Sequence, residues 1–311
     1  MDGENSSVTT KAIGRFAPSP TGRMHLGNVF SALLSWLSVK SKGGDWLLRI
    51  EDIDPARSRQ EYADQLMRDL EWLGLTWDGT PVYQSQRSDI YEHYFQFLTD
   101  KGLTYPCYCT RNDILATQAP HESDGRIVYR GTCRPGSPSL VRKNGAAATR
   151  LIVPDREMSF TDGHYGVQRV NLASHVGDFI VRRKDGAWAY QLAVVVDDAL
   201  MGVNEVVRGR DLLLSAAQQI YVAELLEFPA PQFIHLPLLI NSDGQRLSKR
   251  DLALDLGCLR SNHTPDEIIG MLAYYAKLQP HPLPVTPQSL ISMFDWNKVP
   301  CSDIVTPTIK E

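Results

Sequence analysis

Cysteine is scarce, with five among 311 residues. So low and odd a count excludes the disulfide framework of a small secreted domain and points to reduced thiols. Long hydrophobic runs are missing too. Every apolar stretch is broken by charge before the ~20 residues that a membrane-spanning helix needs. The opening residues, MDGENSSVTT, lack the basic and apolar regions of a secretory signal, so residues 1–10 read as a frayed terminus. These absences predict a cytoplasmic protein with no membrane contact. Internal repeats and low-complexity tracts are also lacking. The net charge is only −4, which excludes a uniformly basic nucleic-acid binder.

What remains is an ordinary globular composition, 43% hydrophobic and 22% charged, on a chain long enough for a sizeable core. Charge is unevenly spread. Residues 126–184 hold eleven Lys and Arg against four acids. Such a window can meet a polyanion, and a solvated loop face with no partner accounts for it equally well.

Patterning gives the organisation. AIGRFAP reads as a strand that ends at Pro18 in the turn PSPTG. From Asn28, Val29, Phe30, Leu33, Leu34 and Leu37 share one helical face. DWLLRIEDID reads as a buried strand whose end carries carboxylates. EYADQLMRDLEWLGL and SDIYEHYFQFLTDKG read as helices, the second with Ser88 as N-cap and Gly102 near its C-terminus. Strand and helix alternating in this rhythm predict a parallel sheet with crossover helices. The rhythm breaks over 104–180, rich in Cys, Gly and Pro. It resumes with the apolar AWAYQLAVVVDDAL, ending in Asp197 and Asp198, then a helix in SAAQQIYVAELLEF and a strand in QFIHLPLLIN. TPDEIIGMLAYYAKL and TPQSLISMF suggest a small helical region.

Three groups of residues carry chemistry. His25 and Asn28 flank Gly27 where a helix begins. A helix N-terminus favours phosphate, and Gly27 would let a backbone or a flat ring approach closely. A lone His beside a Gly turn is also an ordinary capping residue. Lys249 lies in the turn-rich GQRLSKRD, where a mobile loop could meet phosphate charge or be mere surface. Cys107 and Cys109 form C-x-C, followed by Tyr129 and Cys133. The spacing fits zinc, and fits equally a few buried thiols beside an ordinary Tyr. Cys258 and Cys301 are isolated and read as packing residues.

Taken together, HLGN and RLSKR resemble the two signatures of class I aminoacyl-tRNA synthetases. His25 and Asn28 fall on the two histidine positions of the first, the Asn being a departure that keeps a donor, and Lys249 falls on the second lysine of the other. RFAPSPTGRMHLGN, RIEDIDPARS, YQLAVVVDDALMGVNEVVRGRDLL and PLLINSDGQRLSKR resemble the glutamyl/glutaminyl branch, over residues 12 to 255. The resemblance implies an α/β fold: a Rossmann-like catalytic domain in two halves, 11–103 and 181–240, split by an insertion at 104–180. A KMSKS-type loop and a small helical stem-contact-like region follow at 241–311.

It implies that Arg15, Ser19, Glu51, Tyr190 and Arg208 bind L-glutamate. The chemistry suits that ligand: two guanidinium forks for two carboxylates, and a carboxylate for the ammonium. It implies that His25, Gly27, Asn28 and Lys249 bind ATP, which brings Mg²⁺, and that His25, Asn28 and Lys249 are catalytic. Val194 stands where related enzymes can carry a polar residue, a hint of an altered pocket. The C-x-C…Y-x-x-x-C pattern resembles the zinc site of truncated relatives of glutamyl-tRNA synthetase. By that resemblance Cys107, Cys109, Tyr129 and Cys133 hold one structural Zn²⁺ per chain. Those relatives transfer glutamate to queuosine at the wobble position of tRNA(Asp). About sixty residues follow Lys249, too few for an anticodon-binding domain. The expectation is therefore a monomeric enzyme of that kind, its basic insertion holding the anticodon arm. Charging of tRNA(Glu) by a minimal glutamyl-tRNA synthetase is the closest alternative; a non-catalytic paralogue that binds RNA or an amino acid is a second.

Overall fold

The computed structural model describes residues 11–116, 128–137, 145–245 and 255–306. Lys249 and residues 1–10 lie outside them. The chain runs β1 (Ile13–Phe16), α1 (Leu26–Lys40), β2 (Asp45–Ile50), α2 (Gln60–Trp72), β3 (Val82–Tyr83) and α3 (Ser88–Asp100). It continues through β4 (Thr104–Cys107), α4 (Arg111–Ala116), β5 (Ala148–Leu151), β6 (Glu157–Asp162), β7 (Gly166–Asn171), α5 (Leu172–His175) and β8 (Phe179–Arg182). Next come α6 (Tyr190–Leu200), β9 (Glu205–Gly209), α7 (Leu213–Leu225), β10 (Gln232–Leu236) and β11 (Leu239–Ile240). It closes with α8 (Leu256–Asn262), α9 (Pro265–Tyr275), α10 (Pro287–Leu290) and β12 (Ile304–Val305).

The central sheet has the order β10-β9-β1-β2-β3, and all its pairs are parallel, as the strand–helix rhythm predicts. From β1 the chain winds outward one way through β2 and β3, then returns to add β9 and β10 on the other side. The switch point lies between β1 and β9, and ligands of open α/β sheets bind in the crevice outside the strand ends there. Residues 104–182 contribute a three-stranded antiparallel sheet, β4-β5-β8, and the β6–β7 hairpin.

The main core lies on α1. Leu26, Val29, Phe30, Leu33, Leu34 and Leu37 are each at most 1% exposed. They pack with Trp46 and Leu48 of β2 and with Ile268, Ile269 and Leu272 of α9. The C-terminal region thus covers the outer side of α1, where Trp296 Nε1 donates to Ser38 Oγ at 3.0 Å.

Three expectations need correction. Ser88 is the first helical residue of α3 and not its cap: Arg87 holds the cap position, and Ser88 Oγ accepts from Trp188 Nε1 at 2.9 Å. The predicted strand QFIHLPLLIN is two strands broken at Pro237, which cannot donate to a ladder. The second piece, β11, pairs in parallel with β12 at the far end of the chain. Cys258 and Cys301, read as packing residues, are both exposed. In the described part of the basic window several cations have partners. Arg134, Arg156, Arg169, Arg182 and Arg183 each pair with an acid, and Arg150 lies buried against the Tyr129 ring and the Asp178 carbonyl.

Candidate active site

A cavity of about 520 Å³ opens at the C-terminal ends of β1, β2, β9 and β10. Its walls include Arg15, Ser19, His25, Gly27, Asn28, Glu51, Tyr190 and Arg208. Every residue predicted for the glutamate and ATP sites that is described therefore reaches one cavity. Val194 does not. It is fully buried in α6 and is not among the residues that line the cavity.

His25 is a capping residue that also lines the cavity. It is the N-cap of α1, and its Nδ1 accepts from the Gly27 amide at 3.1 Å. Asn28 Oδ1 accepts in return from the His25 amide at 3.0 Å, completing a capping box. A Cβ on Gly27 would come within 3.0 Å of the His25 ring, so Gly27 keeps this cap closed as well as leaving room in the cavity. The capped helix end still faces the cavity with its dipole, a favourable place for phosphate.

Arg208 is 5% exposed and fully engaged by neutral groups. It donates through Nε to His235 Nε2 at 3.2 Å, and through Nη1 to Gln219 Oε1 at 2.7 Å and the Tyr190 hydroxyl at 3.5 Å. Nη2 donates to the Leu212 carbonyl at 3.3 Å. Among the described residues no carboxylate lies within ion-pair distance of it. Burial, and the charge of Arg15 nearby, pull its pKa down from the ordinary guanidinium value. A buried cation held only by neutral acceptors, beside an open cavity, is complementary to a carboxylate ligand.

Arg15 and Glu51 belong to one buried ion network. Arg15 Nε and Arg49 Nη1 both donate to Asp198 Oδ1, at 3.2 and 2.6 Å. Arg49 Nη2 donates to Glu51 Oε1 at 3.2 Å. Asp197, beside them, takes bonds from Gln84, Arg87 and Tyr91. Burial pushes the Glu51 carboxyl up, and Arg49 and Arg15 oppose it. Burial also works against the Asp198 charge, yet Arg15 and Arg49 hold its pKa below the ordinary value.

The sequence reading missed Arg49, Asp162, Gln219 and His235, and gave the acids of VVVDD no role. A signal existed for some of them: two acids ending an apolar helix, and one His within the apolar FIHLP, are each costly to bury without a partner. The cavity also takes Arg23 and Asp211.

The two sides of the Lys249 segment are anchored at this cavity. Leu239 of β11 lines it before the segment. After the segment, Asp255 forms a bridge with His25, and Arg23 lies 3.8 Å from Asp255.

A second cluster lies in 104–180. The sulfurs of Cys107, Cys109 and Cys133 fall within 4.8 Å of one another, with Cys109 and Cys133 at 3.6 Å. Tyr129 Oη lies 3.4 Å from Cys107 Sγ and 3.9 Å from Cys109 Sγ. Zn–S bonds of about 2.3 Å in a tetrahedron put sulfurs roughly 3.8 Å apart, so these atoms fit a zinc ion. The Cys133 amide donates to Tyr129 Oη at 2.7 Å, which suits a phenolate. Burial, the bond to Cys133 and the neighbouring thiols push the Cys109 thiol up to about 12. A bound cation reverses that balance. Gly177 closes the support: a Cβ there would sit 2.0 Å from the Tyr129 carbonyl oxygen.

A parallel sheet with a capped helix N-terminus and a buried guanidinium beside a cavity at its switch point suits an α/β enzyme that binds anionic ligands. The family model "tRNA synthetases class I (E and Q), catalytic domain" matches residues 11–271, and the chain belongs to this family. A protein of Symbiobacterium thermophilum named glutamyl-Q tRNA(Asp) synthetase is 46% identical over 94% of this chain and 95% of its own length. One of Neisseria meningitidis with the same name is 43% identical over 94% of this chain and 99% of its own. A solved glutamate tRNA ligase of Elizabethkingia meningosepticum, in complex with its amino acid, superimposes with a TM-score of 0.80 at 28% identity, over 96% of this chain and 68% of that one. No helix among the described residues is long and apolar enough to cross a membrane.

Proposed function

We propose that this protein activates L-glutamate with ATP and transfers it to the queuosine of tRNA(Asp). The observation that carries the reading is Arg208, a buried guanidinium with only neutral partners, in the same cavity as a capped helix N-terminus. One group asks for a carboxylate and the other for phosphate. The name shared by relatives at 43% and 46% identity supports the acceptor.

In the first step the glutamate α-carboxylate attacks the α-phosphate of ATP and pyrophosphate leaves. The attacking group is already ionised, so no general base is needed. The protein aligns the reactants and neutralises charge. Arg208 holds the α-carboxylate, Arg15 and Ser19 the side-chain carboxylate, Glu51 the ammonium, and Tyr190 covers the chain. His25, Gly27 and Asn28 present the helix N-terminus to the phosphates, and Lys249 offsets their charge. Mg²⁺ carried by ATP offsets phosphate charge. In the second step a hydroxyl of the queuosine cyclopentenediol takes the glutamyl group and AMP leaves.

The same proposal divides the chain at 103/104, 180/181 and 240/241. It gives the insertion a closed zinc site of three thiolates and one phenolate, structural because no position is left open. The protein works as a cytoplasmic monomer, and the anticodon arm meets the insertion. Surface ion pairs such as Arg156–Glu224 are weak, so phosphates can compete for their arginines. Pyrophosphate exchange into ATP tests the first step. It should depend on L-glutamate and be far slower with L-glutamine or L-aspartate; exchange indifferent to the amino acid would refute the pocket.

A further inference from the structure

The geometry points to His235 and Asp162 as positioning residues for the glutamate site, acting through Arg208. This rests on the assignment of Arg208 to the substrate carboxylate. His235 is fully buried in β10, and Asp162, at the end of β6, is 1% exposed. His235 Nδ1 lies 2.6 Å from Asp162 Oδ2, and its Nε2 lies 3.2 Å from Arg208 Nε.

The chemistry of the partners fixes the imidazole. Arg208 Nε–H can only donate, so His235 Nε2 must accept. The single ring proton is then on Nδ1 and is donated to Asp162. This neutral tautomer is the one form that satisfies both neighbours. An imidazolium would aim an N–H at the guanidinium and place two cations in contact. Burial disfavours that charge, and Arg208 adds to the effect.

Asp162 is itself held rigidly. Its Oδ1 accepts from the amides of His164 at 3.0 Å and Tyr165 at 2.8 Å, closing the turn of the β6–β7 hairpin. The His235 amide donates to both carboxylate oxygens at 3.2 Å. The nearest carboxylate in this chain of bonds is thus one imidazole removed from Arg208. The arrangement orients the guanidinium without neutralising it by direct contact, so its charge stays available to the ligand. The hairpin, which follows the cysteine-bearing segment, thereby reaches the glutamate pocket. It is pinned in turn by the far end of the chain: His164 Nε2 lies 3.1 Å from the Pro300 carbonyl, and the Tyr165 hydroxyl donates to the Cys301 carbonyl at 2.9 Å.

Asp162→Asn is the diagnostic substitution. The two turn amides keep the Asn oxygen on their side, so its NH₂ replaces Oδ2 opposite His235 Nδ1. The ring must then accept at Nδ1 and carry its proton on Nε2, facing the Arg208 N–H. A misplaced tautomer of this kind disables a buried His without moving it.

The experiment measures glutamate-dependent pyrophosphate exchange together with ¹⁵N NMR of histidine-labelled protein. The wild type should show one buried ring protonated at Nδ1. Asp162→Asn should move that proton to Nε2 and raise the KM for glutamate about tenfold or more, with the KM for ATP unchanged. His235→Phe should raise the glutamate KM as much. His235→Gln, which offers an acceptor and a donor in the same order, should stay within a few-fold of wild type. If Asp162→Asn and His235→Phe fold, by circular dichroism, and keep the wild-type glutamate KM, the inference is overturned. Arg208→Ala separates the premises. A large rise in glutamate KM for it, with none for the other two, rejects the relay alone. No change for Arg208→Ala rejects the pocket assignment and the relay with it.

Discussion

Arg49 and Asp198 form an ion pair of 2.6 Å in which neither side chain is more than 5% exposed. Through it, Arg15 and Glu51, both on the cavity wall, are joined. Removing one partner of such a pair strands a buried charge and costs ~3–5 kcal/mol. Arg49→Met should lower the urea midpoint accordingly. Arg49→Met with Asp198→Asn should recover part of the loss, because one fewer buried carboxylate then shares the remaining Arg15. A double variant no more stable than Arg49→Met would show that the pair is not the unit of stability.

His25 separates its two roles by substitution. His25→Ala loses the cap of α1, at ~1 kcal/mol, and with it the phosphate contact proposed above. His25→Asn keeps a capping oxygen, so its thermal midpoint should stay near wild type. Its pyrophosphate exchange should still fall about a hundredfold, the size of effect seen when one transition-state donor is removed. Wild-type exchange in a stable His25→Asn protein would leave the residue as a cap alone.

Acid should destabilise the fold through His235 and Asp162. Both have folded pKa values below their ordinary 6.5 and 3.8. Burial lowers that of His235; Asp162 is lowered, against its own burial, by the bond from His235 and the two turn amides. The unfolded chain then binds more protons than the folded one, so stability rises with pH through each window. The His235 contribution is complete above pH 6.5 and is lost as the pH falls toward its folded value. Glu51 runs the other way, since burial raises its pKa above the ordinary 4.5. Its contribution is present below that value and is lost as pH rises. The comparison that isolates His235 is urea unfolding at pH 7.5 and 5.5. Wild type should lose more stability than His235→Gln between the two, and equal losses would contradict the assignment.

The proposed metal site has its own test. Cys107→Ser with Cys133→Ser removes two of the four proposed ligands. Metal analysis should fall from one zinc per chain to near none, and the thermal midpoint should drop as the insertion loosens. Full zinc content in the double variant would refute the ligand set.

Much of this site was legible in the sequence because it lies on strand ends and on a helix start, where short motifs map directly to place. Arg15, Glu51 and Arg208 were implied by the family resemblance of the motifs they lie in, and the parallel sheet brings those motifs to one cavity, since successive strand ends meet at one edge. The buried network was harder to read. Arg49 lies within an apolar strand, where alternation alone puts Leu or Ile. Its partners Asp197 and Asp198 lie some 150 residues away along the chain. His235 looks like a stray polar residue until β6 and β9 are seen to flank it. The ion pairs of the basic window were hidden for the same reason. Net charge per segment takes no account of acids brought in from elsewhere, such as Glu224 to Arg156 and Asp54 to Arg183. Pro237 was in plain sight, but the pairing of β11 with β12 joins residues more than sixty apart and leaves no local pattern.

The central claim is the transfer of glutamate to queuosine. The most direct measurement incubates the purified protein with ATP, labelled L-glutamate and either queuosine-containing tRNA(Asp) or tRNA(Glu). Label on the tRNA(Asp) that depends on queuosine, with none on tRNA(Glu), is the predicted result. Label on tRNA(Glu) and none on tRNA(Asp) would contradict the account.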